Sequence, residues 1–468
     1  MSARARRVVV VGGGITGLSA AWRLQQSASG PVHITVLETT DRWGGKLITE
    51  RLVAEGLALD VDAGADSFVT RKPELWDLAH ELGIDDALLP LASQARGTRL
   101  LHGGELVPVP LSPPALAGTP LMSPLGKLRL LAEPLVPARR DETDESLAEF
   151  ARRRLGREAA DHLVCPILAG IYNADPETQS IMTTSPIMRE LEREHGSIFV
   201  ASFVRMLRAR RRATRRPRFV GIRGGARTLV DALVRSVRAE MHLGAAARSI
   251  LAHGSEYAVE MESGATIPAE AVLLATPANV AARLLGDLAP AAAGVLSSVS
   301  HSSIGTLVVA VRAGSSRPDP RMSGVMIPRR EGRLIDAIRW ATPGEAAGKL
   351  EVVKLFFGGA APALMEMDDA ALIHAVVAEA SSILGRSISP VASAINRWPS
   401  SYPEARVGHL AVVDEIERRL PPGILAAGAS YRGLGVPDCI RQASRAASDV
   451  WSYLNGIDEK ETHSASHA

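Results

Sequence analysis

Near the N-terminus two apolar runs flank a helical pattern. Val8-Val9-Val10-Val11 is unbroken, as a strand covered on both faces requires, and His33-Ile34-Thr35-Val36-Leu37 repeats the signal. Between them Gly12-Gly13-Gly14 turns the chain straight into Ile15-Thr16-Gly17-Leu18-Ser19-Ala20-Ala21, which predicts the strand–turn–helix–strand unit of a doubly wound α/β domain. Residues 73–83 place Leu75, Trp76, Leu78, Ala79 and Leu82 at helical spacing and stop at Gly83. From 106 to 137, prolines at 108, 110, 113, 114, 120, 124, 134 and 137 break an apolar stretch that a central strand could not contain. This excursion from the sheet reads as a cover packed over a cavity. With Leu111, Leu116, Leu121, Met122, Leu125 and Leu128 beside Lys127 and Arg129, it also reads as a patch for a membrane interface.

Helical spacing continues through 145–154, 156–170 and 185–212, and 218–226 leads into a helix over 227–240. Residues 257–261 and 271–275 read as strands joined through Glu262-Ser263-Gly264, a return to the nucleotide domain. Strands over 306–311, 335–340 and 351–357 predict a second sheet, followed by a helix over 368–384. A last strand at 423–430 precedes a helix through Val450, and from Asn455 the chain is polar enough to be disordered. No internal repeat is visible. The expected fold is α/β, a discontinuous Rossmann-like domain with a mixed-sheet substrate domain and a helical lobe. Its parts are 1–100, 217–300 and 395–455 for the nucleotide domain, 101–216 for the proline-interrupted helical lobe, 301–394 for the second sheet and 456–468 for the tail.

Composition narrows the class. The 468 residues exceed one ordinary core, and 46% are apolar. Lys plus Arg number 53 against 51 acids, so no global charge argues for nucleic acid or an anionic membrane. The densest basic run, Arg205 to Arg218, lacks interleaved aromatics and reads as a solvated helix face and loop. Two distant cysteines, Cys165 and Cys439, make no disulfide framework and no zinc pattern. The basic start runs into the first strand without a signal peptide's apolar region, and no window spans a membrane, so the expected location is cytoplasmic.

The glycine turn carries the chemistry. Gly12, Gly14 and Gly17 fill the G-x-G-x-x-G positions, for the tight turn, the approach of backbone to a pyrophosphate, and helix–strand packing. Free N–H groups and the dipole of the helix start face the phosphates. Glu38, ending the second strand, stands near the roughly 20-residue offset at which a carboxylate takes ribose hydroxyls. Asp41-Arg42-Trp43-Gly44-Gly45-Lys46 then adds a second glycine pair that simple NAD dehydrogenases do not usually carry. It resembles the R-x-G-G-[RK] element of the FAD-dependent amine oxidase superfamily, and Gly64-Ala65-Asp66-Ser67-Phe68 resembles that superfamily's loop beside the flavin.

Further matches make the chain similar, over nearly residues 7 to 455, to the oxygen-dependent protoporphyrinogen and coproporphyrinogen oxidases of late haem synthesis. They are Gly170-Ile171-Tyr172, Arg397-Trp398-Pro399, Val407-Gly408-His409 and the run from Gly428 through Gly433-Leu434-Gly435-Val436-Pro437-Asp438-Cys439-Ile440. The resemblance implies that Gly12, Gly13, Gly14, Ile15, Thr16, Gly17, Glu38, Thr39 and Lys46 bind FAD, with Gly64, Ala65, Asp66 and Ser67. It adds Trp398 beside the flavin, backbone from Gly435 and Val436, and Ala247 at the adenine end, where the family often has valine. FAD is expected to be non-covalent, since Cys439 follows Pro437-Asp438 and no aromatic pair stands there. His409 reads as a satisfied local hydrogen-bond partner, and no metal site is expected.

A porphyrinogen loses six electrons on aromatisation, so a flavin accepting two at a time runs three cycles, each closed by O2 with release of H2O2. No catalytic residue is assigned. The resemblance implies that Arg71 and Lys72 bind substrate, as adjacent cations suited to the four propionates of coproporphyrinogen III, and that Ile171 and Tyr172 line the cavity. As helix-capping residues near Pro73 they would oppose the dipole. The expected reaction is oxidation of coproporphyrinogen III to coproporphyrin III, in the branch of soluble bacterial enzymes. Protoporphyrinogen IX on the same scaffold is the alternative, with a flavin amine oxidase or desaturase-like enzyme a more remote one. Expected partners are the porphyrinogen and O2, a transient hand-over to the next pathway enzyme and at most peripheral membrane contact, in a monomer or homodimer.

Overall fold

The computed structural model describes residues 4–465 apart from 29, 92–96, 173, 211–216, 218, 255 and 342–348; the side chains of 171–172, 206–210 and 457–465 are also outside the description. Its first sheet has five parallel strands in the order Glu240–His242, Val32–Leu37, Arg6–Val11, Ala271–Leu274, Ile424–Ala426. The all-apolar run Val8–Val11 lies at its centre because both faces are covered. Helices Ile15–Gln26 and Val436–Ala465 pack together on one face, where the Trp451 indole donates to the Leu24 carbonyl at 3.0 Å. The other face carries helices Ala278–Leu284 and Pro290–Ser297 and a small antiparallel sheet, Ala247–His253, Glu256–Met261, Thr266–Ala269.

That small sheet corrects one expectation. The turn at 262–264 joins Glu256–Met261 to Thr266–Ala269, and only Ala271–Leu274 returns to the parallel sheet. Burial decides it, since Ala271–Leu274 is buried throughout whereas Glu256–Met261 is half covered, as an antiparallel sheet with one open face permits.

The second sheet has seven strands in the order Ala392–Pro403, His301–Arg312, Leu350–Phe357, Ile335–Ala341, Gly324–Met326, Thr98–His102, Glu105–Pro108. All neighbours are antiparallel except Gly324–Met326 with Thr98–His102, so the sheet is mixed. Residues on both sides of position 100 thus share this sheet, with Pro108 on its edge strand, where a missing N–H is tolerated. Helix Asp369–Leu384 covers one face, and the hairpin of Thr49–Ala54 and Leu57–Asp62 covers the other.

In the proline-rich stretch, Pro113 and Pro124 open the short helices Pro113–Gly118 and Pro124–Leu131, with the Ser112 and Ser123 hydroxyls as caps. Proline is tolerated in a first turn because that N–H has no partner within the helix. The helix expected over 185–212 is two, Pro186–His195 and Ile198–Arg210. Gly196 ends the first at φ 72, and the buried Glu133 carboxylate accepts from the Ile198 and Phe199 N–H groups at 3.0 and 3.3 Å. Glu133 is itself ion-paired to Arg154, buried like Glu192 and Arg189, so ionic contacts hold this lobe together. The tail expected to be disordered is also corrected over its described residues, because helix Val436–Ala465 continues through 456–465. Val450, Trp451 and Leu454 anchor that helix in the core, and each further residue of 457–465 adds a bond to an existing nucleus. Among the described residues no helix is long and apolar enough to cross a membrane.

Candidate active site

At the end of Arg6–Val11 the chain turns at Gly12, with φ 111, and its N–H donates to the Leu37 carbonyl at 2.7 Å. A Cβ on Gly12 would meet the Ala275 carbonyl oxygen at 2.8 Å, and one on Gly17 would lie 1.9 Å from the Gly12 oxygen. These two glycines are required by the fold. Gly14 differs, since its Cβ would meet only Gly45 Cα, at 3.9 Å. The opening in front of Gly14 is therefore left by the fold for something else.

Glu38 is buried and ties the turn to the second strand. One carboxylate oxygen accepts from the Gly13 N–H at 2.8 Å, the other from the Thr40 N–H and hydroxyl at 2.9 and 2.8 Å. The oxygen facing Gly13 keeps a lone pair for a further donor, while the one held by Thr40 already has two donors. Thr39 stands exposed at the strand's end. The Ala245 N–H donates to the Glu38 carbonyl at 2.8 Å, which brings the segment leading into Ala247 against this corner. From the other side the Gly44 N–H donates to Gly13 at 2.9 Å, and Trp43 lies over Gly13.

Lys46 points the same way. Its ammonium donates to the Ser401 carbonyl, and the Ser401 hydroxyl donates to the Trp398 carbonyl at 3.1 Å, so strand Ala392–Pro403 joins Trp398 to the second glycine pair. Burial pushes the Lys46 ammonium below its ordinary pKa, and among the described residues it has no carboxylate in ion-pair range. Asp66, in the 64–68 loop, is held by two cations that the sequence reading missed. Lys354, fully buried, donates to Asp66 at 2.8 Å and to the Gly64 carbonyl at 2.9 Å, and Arg339 donates to Asp66 at 2.6 Å and to the Ser67 hydroxyl at 3.4 Å. Burial alone would raise the Asp66 carboxyl, but the two cations hold it below its usual range. The available signal was a lysine interrupting the apolar strand Leu350–Phe357.

Helix Val436–Ala465 starts beside the same turn, where a Cβ added to Gly428 would stand 3.6 Å from the Thr16 hydroxyl. Gln442, also missed, accepts from the Arg432 N–H at 3.1 Å and donates to the Gly433 carbonyl at 3.3 Å, holding the loop before Gly435. Burial pushes the Cys439 thiol up to about 11, leaving it neutral, and Cys165 is likewise free and buried. His409 makes the local contact expected of it, to the Tyr431 carbonyl at 2.9 Å.

Against that helix start opens a cavity of about 640 Å³. Its lining brings Arg71 and Lys72 together with Arg205, Arg432 and Arg441, against Glu190 and Asp438, with Met182, Ile187 and Leu410 as apolar wall. Arg71 and Lys72 both line this cavity. Ile171 and Tyr172 end helix Cys165–Tyr172, and their side chains lie outside the described residues, as do the basic side chains of the run after Arg205.

The flavin containing amine oxidoreductase family matches residues 15–451. The chain belongs to this family. It is an FAD-dependent oxidoreductase. It is 29% identical to a coproporphyrinogen III oxidase of Bacillus subtilis (strain 168), covering 97% of this chain and 100% of the relative. Against the coproporphyrinogen III oxidase of Mycobacterium tuberculosis (strain ATCC 25618 / H37Rv), the identity is 31%, with 96% and 98% covered. A crystal structure described as a putative protoporphyrinogen oxidase from Exiguobacterium sp. 255-15 superimposes with a TM-score of 0.83 at 28% identity, covering 97% of this chain and 99% of that one. A putrescine oxidase structure, at 17% identity and a TM-score of 0.66 over 96% and 100% of the two chains, shares the fold.

The turn fits the flavin dinucleotide of such an oxidoreductase. Among the described residues the Thr276 hydroxyl beside Gly12 is buried with no partner and Lys46 is a buried cation without a counter-ion, while a Cβ on Gly14 would meet nothing nearer than Gly45 Cα at 3.9 Å. A pyrophosphate would answer all three.

Proposed function

We propose that this flavin oxidoreductase converts coproporphyrinogen III to coproporphyrin III, with O2 as acceptor and H2O2 as product. The observation that carries the reading is the cation-lined cavity at the start of Val436–Ala465, taken with relatives that bear the coproporphyrinogen III oxidase name. The balance is six electrons and six protons from one porphyrinogen to three O2, giving three H2O2. Bound FAD supplies the two-electron acceptor and the reoxidation by O2.

The rest is placement. In this reading Gly12 to Gly17, Glu38, Thr39 and Lys46 hold the dinucleotide, with Ala247 at its adenine end and the 64–67 loop, Trp398 and the Gly435-Val436 backbone at its flavin end. Arg71 and Lys72 take propionates from the rim of the cavity, while Met182, Ile187 and Leu410 keep its wall apolar. Ile171 and Tyr172 are assigned to the same lining. No side chain is needed as a base, since aromatisation drives proton loss from the pyrrole nitrogens. The reading extends to a cytoplasmic monomer or homodimer that hands product transiently to the next pathway enzyme. Any lipid contact is peripheral, through Leu125, Leu128, Leu131 and Leu135, which stand exposed.

The test compares coproporphyrinogen III and protoporphyrinogen IX side by side, reading porphyrin fluorescence and peroxide. The expected result is faster turnover of coproporphyrinogen III, with one peroxide per two electrons. A strong preference for protoporphyrinogen IX would replace the substrate assignment.

A further inference from the structure

We infer that Arg205 joins Arg71 as a guanidinium pair that docks substrate carboxylates across the cavity, with Lys72 beside them held by Asp438. The inference rests on the porphyrinogen reading and sharpens it to one specificity-determining residue, Arg205.

Five cations line the cavity, and three already have acid partners. Arg432 is taken by Asp414 at 2.5 Å and by Glu417 at 2.6 and 2.8 Å, neither of which lines the cavity. Arg441 pairs with Asp438 at 2.5 Å and Glu74 at 3.2 Å. Lys72 donates to the other Asp438 oxygen at 2.5 Å. Asp438 therefore clamps the loop after strand Phe68–Val69 to the first turn of Val436–Ala465, and the Lys72 charge is already matched. Among the described residues Arg71 and Arg205 have no carboxylate within ion-pair range.

These two come from different parts of the fold. Arg71 follows strand Phe68–Val69 beside the flavin domain, and Arg205 projects from helix Ile198–Arg210 of the helical lobe, so together they suit a substrate with carboxylates on more than one edge. On the lobe's wall the Thr183 hydroxyl is buried with no partner among the described residues, a donor for a carboxylate oxygen. Glu190 opposes the pair from helix Pro186–His195 and repels the same anion. A tetracarboxylate needs the second guanidinium, whereas a dicarboxylate can be held from one edge.

Kinetics on the FAD-loaded full chain test this, with Arg205→Ala, Arg205→Lys and Glu190→Gln. Arg205→Ala should raise KM for coproporphyrinogen III by roughly tenfold, as loss of one charge-assisted contact allows, and by about twofold for protoporphyrinogen IX. Arg205→Lys should recover part of the loss. Glu190→Gln should move KM the other way, and added salt should shrink each difference. Fluorescence titration with coproporphyrin III separates this pair from the reaction. Binding weakened by Arg205→Ala supports the pair even where turnover of coproporphyrinogen III fails and the reaction assignment falls. Unchanged coproporphyrin III binding, or equal KM increases on both substrates, overturns the pair.

Discussion

In the proposed reading, recognition around the glycine turn is made of backbone. Gly12 and Gly17 bring main chain to contact distance, Gly14 leaves a space, and Glu38 fixes the result through two N–H groups and a hydroxyl. In the cavity against the start of Val436–Ala465, the same reading makes recognition out of long side chains that line it from the 71–72 loop, two lobe helices and the C-terminal helix. A backbone site is set by local sequence and tolerates no Cβ. A side-chain site is assembled from remote positions, and each member can be exchanged for a graded cost.

The sharpest way to break the comparison is at the glycines. Gly14→Val should abolish flavin binding in a chain that still folds, read as absorbance per protein, whereas Gly17→Val should give no folded protein at all, by circular dichroism and soluble yield. Stoichiometric flavin in the Gly14 variant would sink the backbone account. Next in size is Lys354→Met, which leaves Asp66 and the Gly64 carbonyl short of a buried partner. A loss of about 3–5 kcal/mol is expected, read by chemical denaturation, with part recovered in the Asp66→Asn, Lys354→Met double variant. The pH sign follows from Asp66. Its folded carboxyl titrates below the unfolded one, so its stabilisation is present above the unfolded value and is lost as pH falls through the folded one. Asp66→Asn should flatten that acid limb.

In the cavity, Arg71→Ala with Lys72→Ala should lower kcat/KM for coproporphyrinogen III roughly ten- to hundredfold, and for protoporphyrinogen IX by less. Lys72→Ala alone should cost less than Arg71→Ala alone, because Asp438 already matches Lys72. Equal single effects would blur the division between clamp and docking residue. The smallest change expected is Glu38→Ala, with FAD held about tenfold more weakly by equilibrium dialysis, near the lower end of a lost charged hydrogen bond. An unaltered FAD affinity would remove Glu38 from the site.

The same division governs what can be read from sequence. Gly12 to Gly17, Glu38 and the Gly44-Gly45 pair announce themselves because their spacing along the chain is their spacing in the fold. Lys354 meets Asp66 across nearly three hundred residues, and only its intrusion into an apolar strand hints at it. Arg205 looks like one more member of a solvated basic run, since nothing local distinguishes the arginine that faces a cavity. The break at Gly196 in the 185–212 pattern does have a local signal, since Gly196 stops the first helix and the Ser197 hydroxyl accepts from the Val200 N–H at 3.1 Å, with Glu133 adding to that cap from far upstream.

The strand order of the parallel sheet also has a consequence for how the protein comes into being. Its five strands are drawn from residues 6–11, 32–37, 240–242, 271–274 and 424–426, so the last arrives only when almost the whole chain has been synthesised. Until then Ala271–Leu274 is an open parallel edge, and the helix that flanks Thr16 does not exist. The seven-stranded sheet, whose last strand ends at Pro403, can close earlier. In synthesis from the N-terminus the residues of the cofactor cradle are thus brought together later than those of the seven-stranded sheet, since the cradle needs the strand at 424–426 and the helix that follows it.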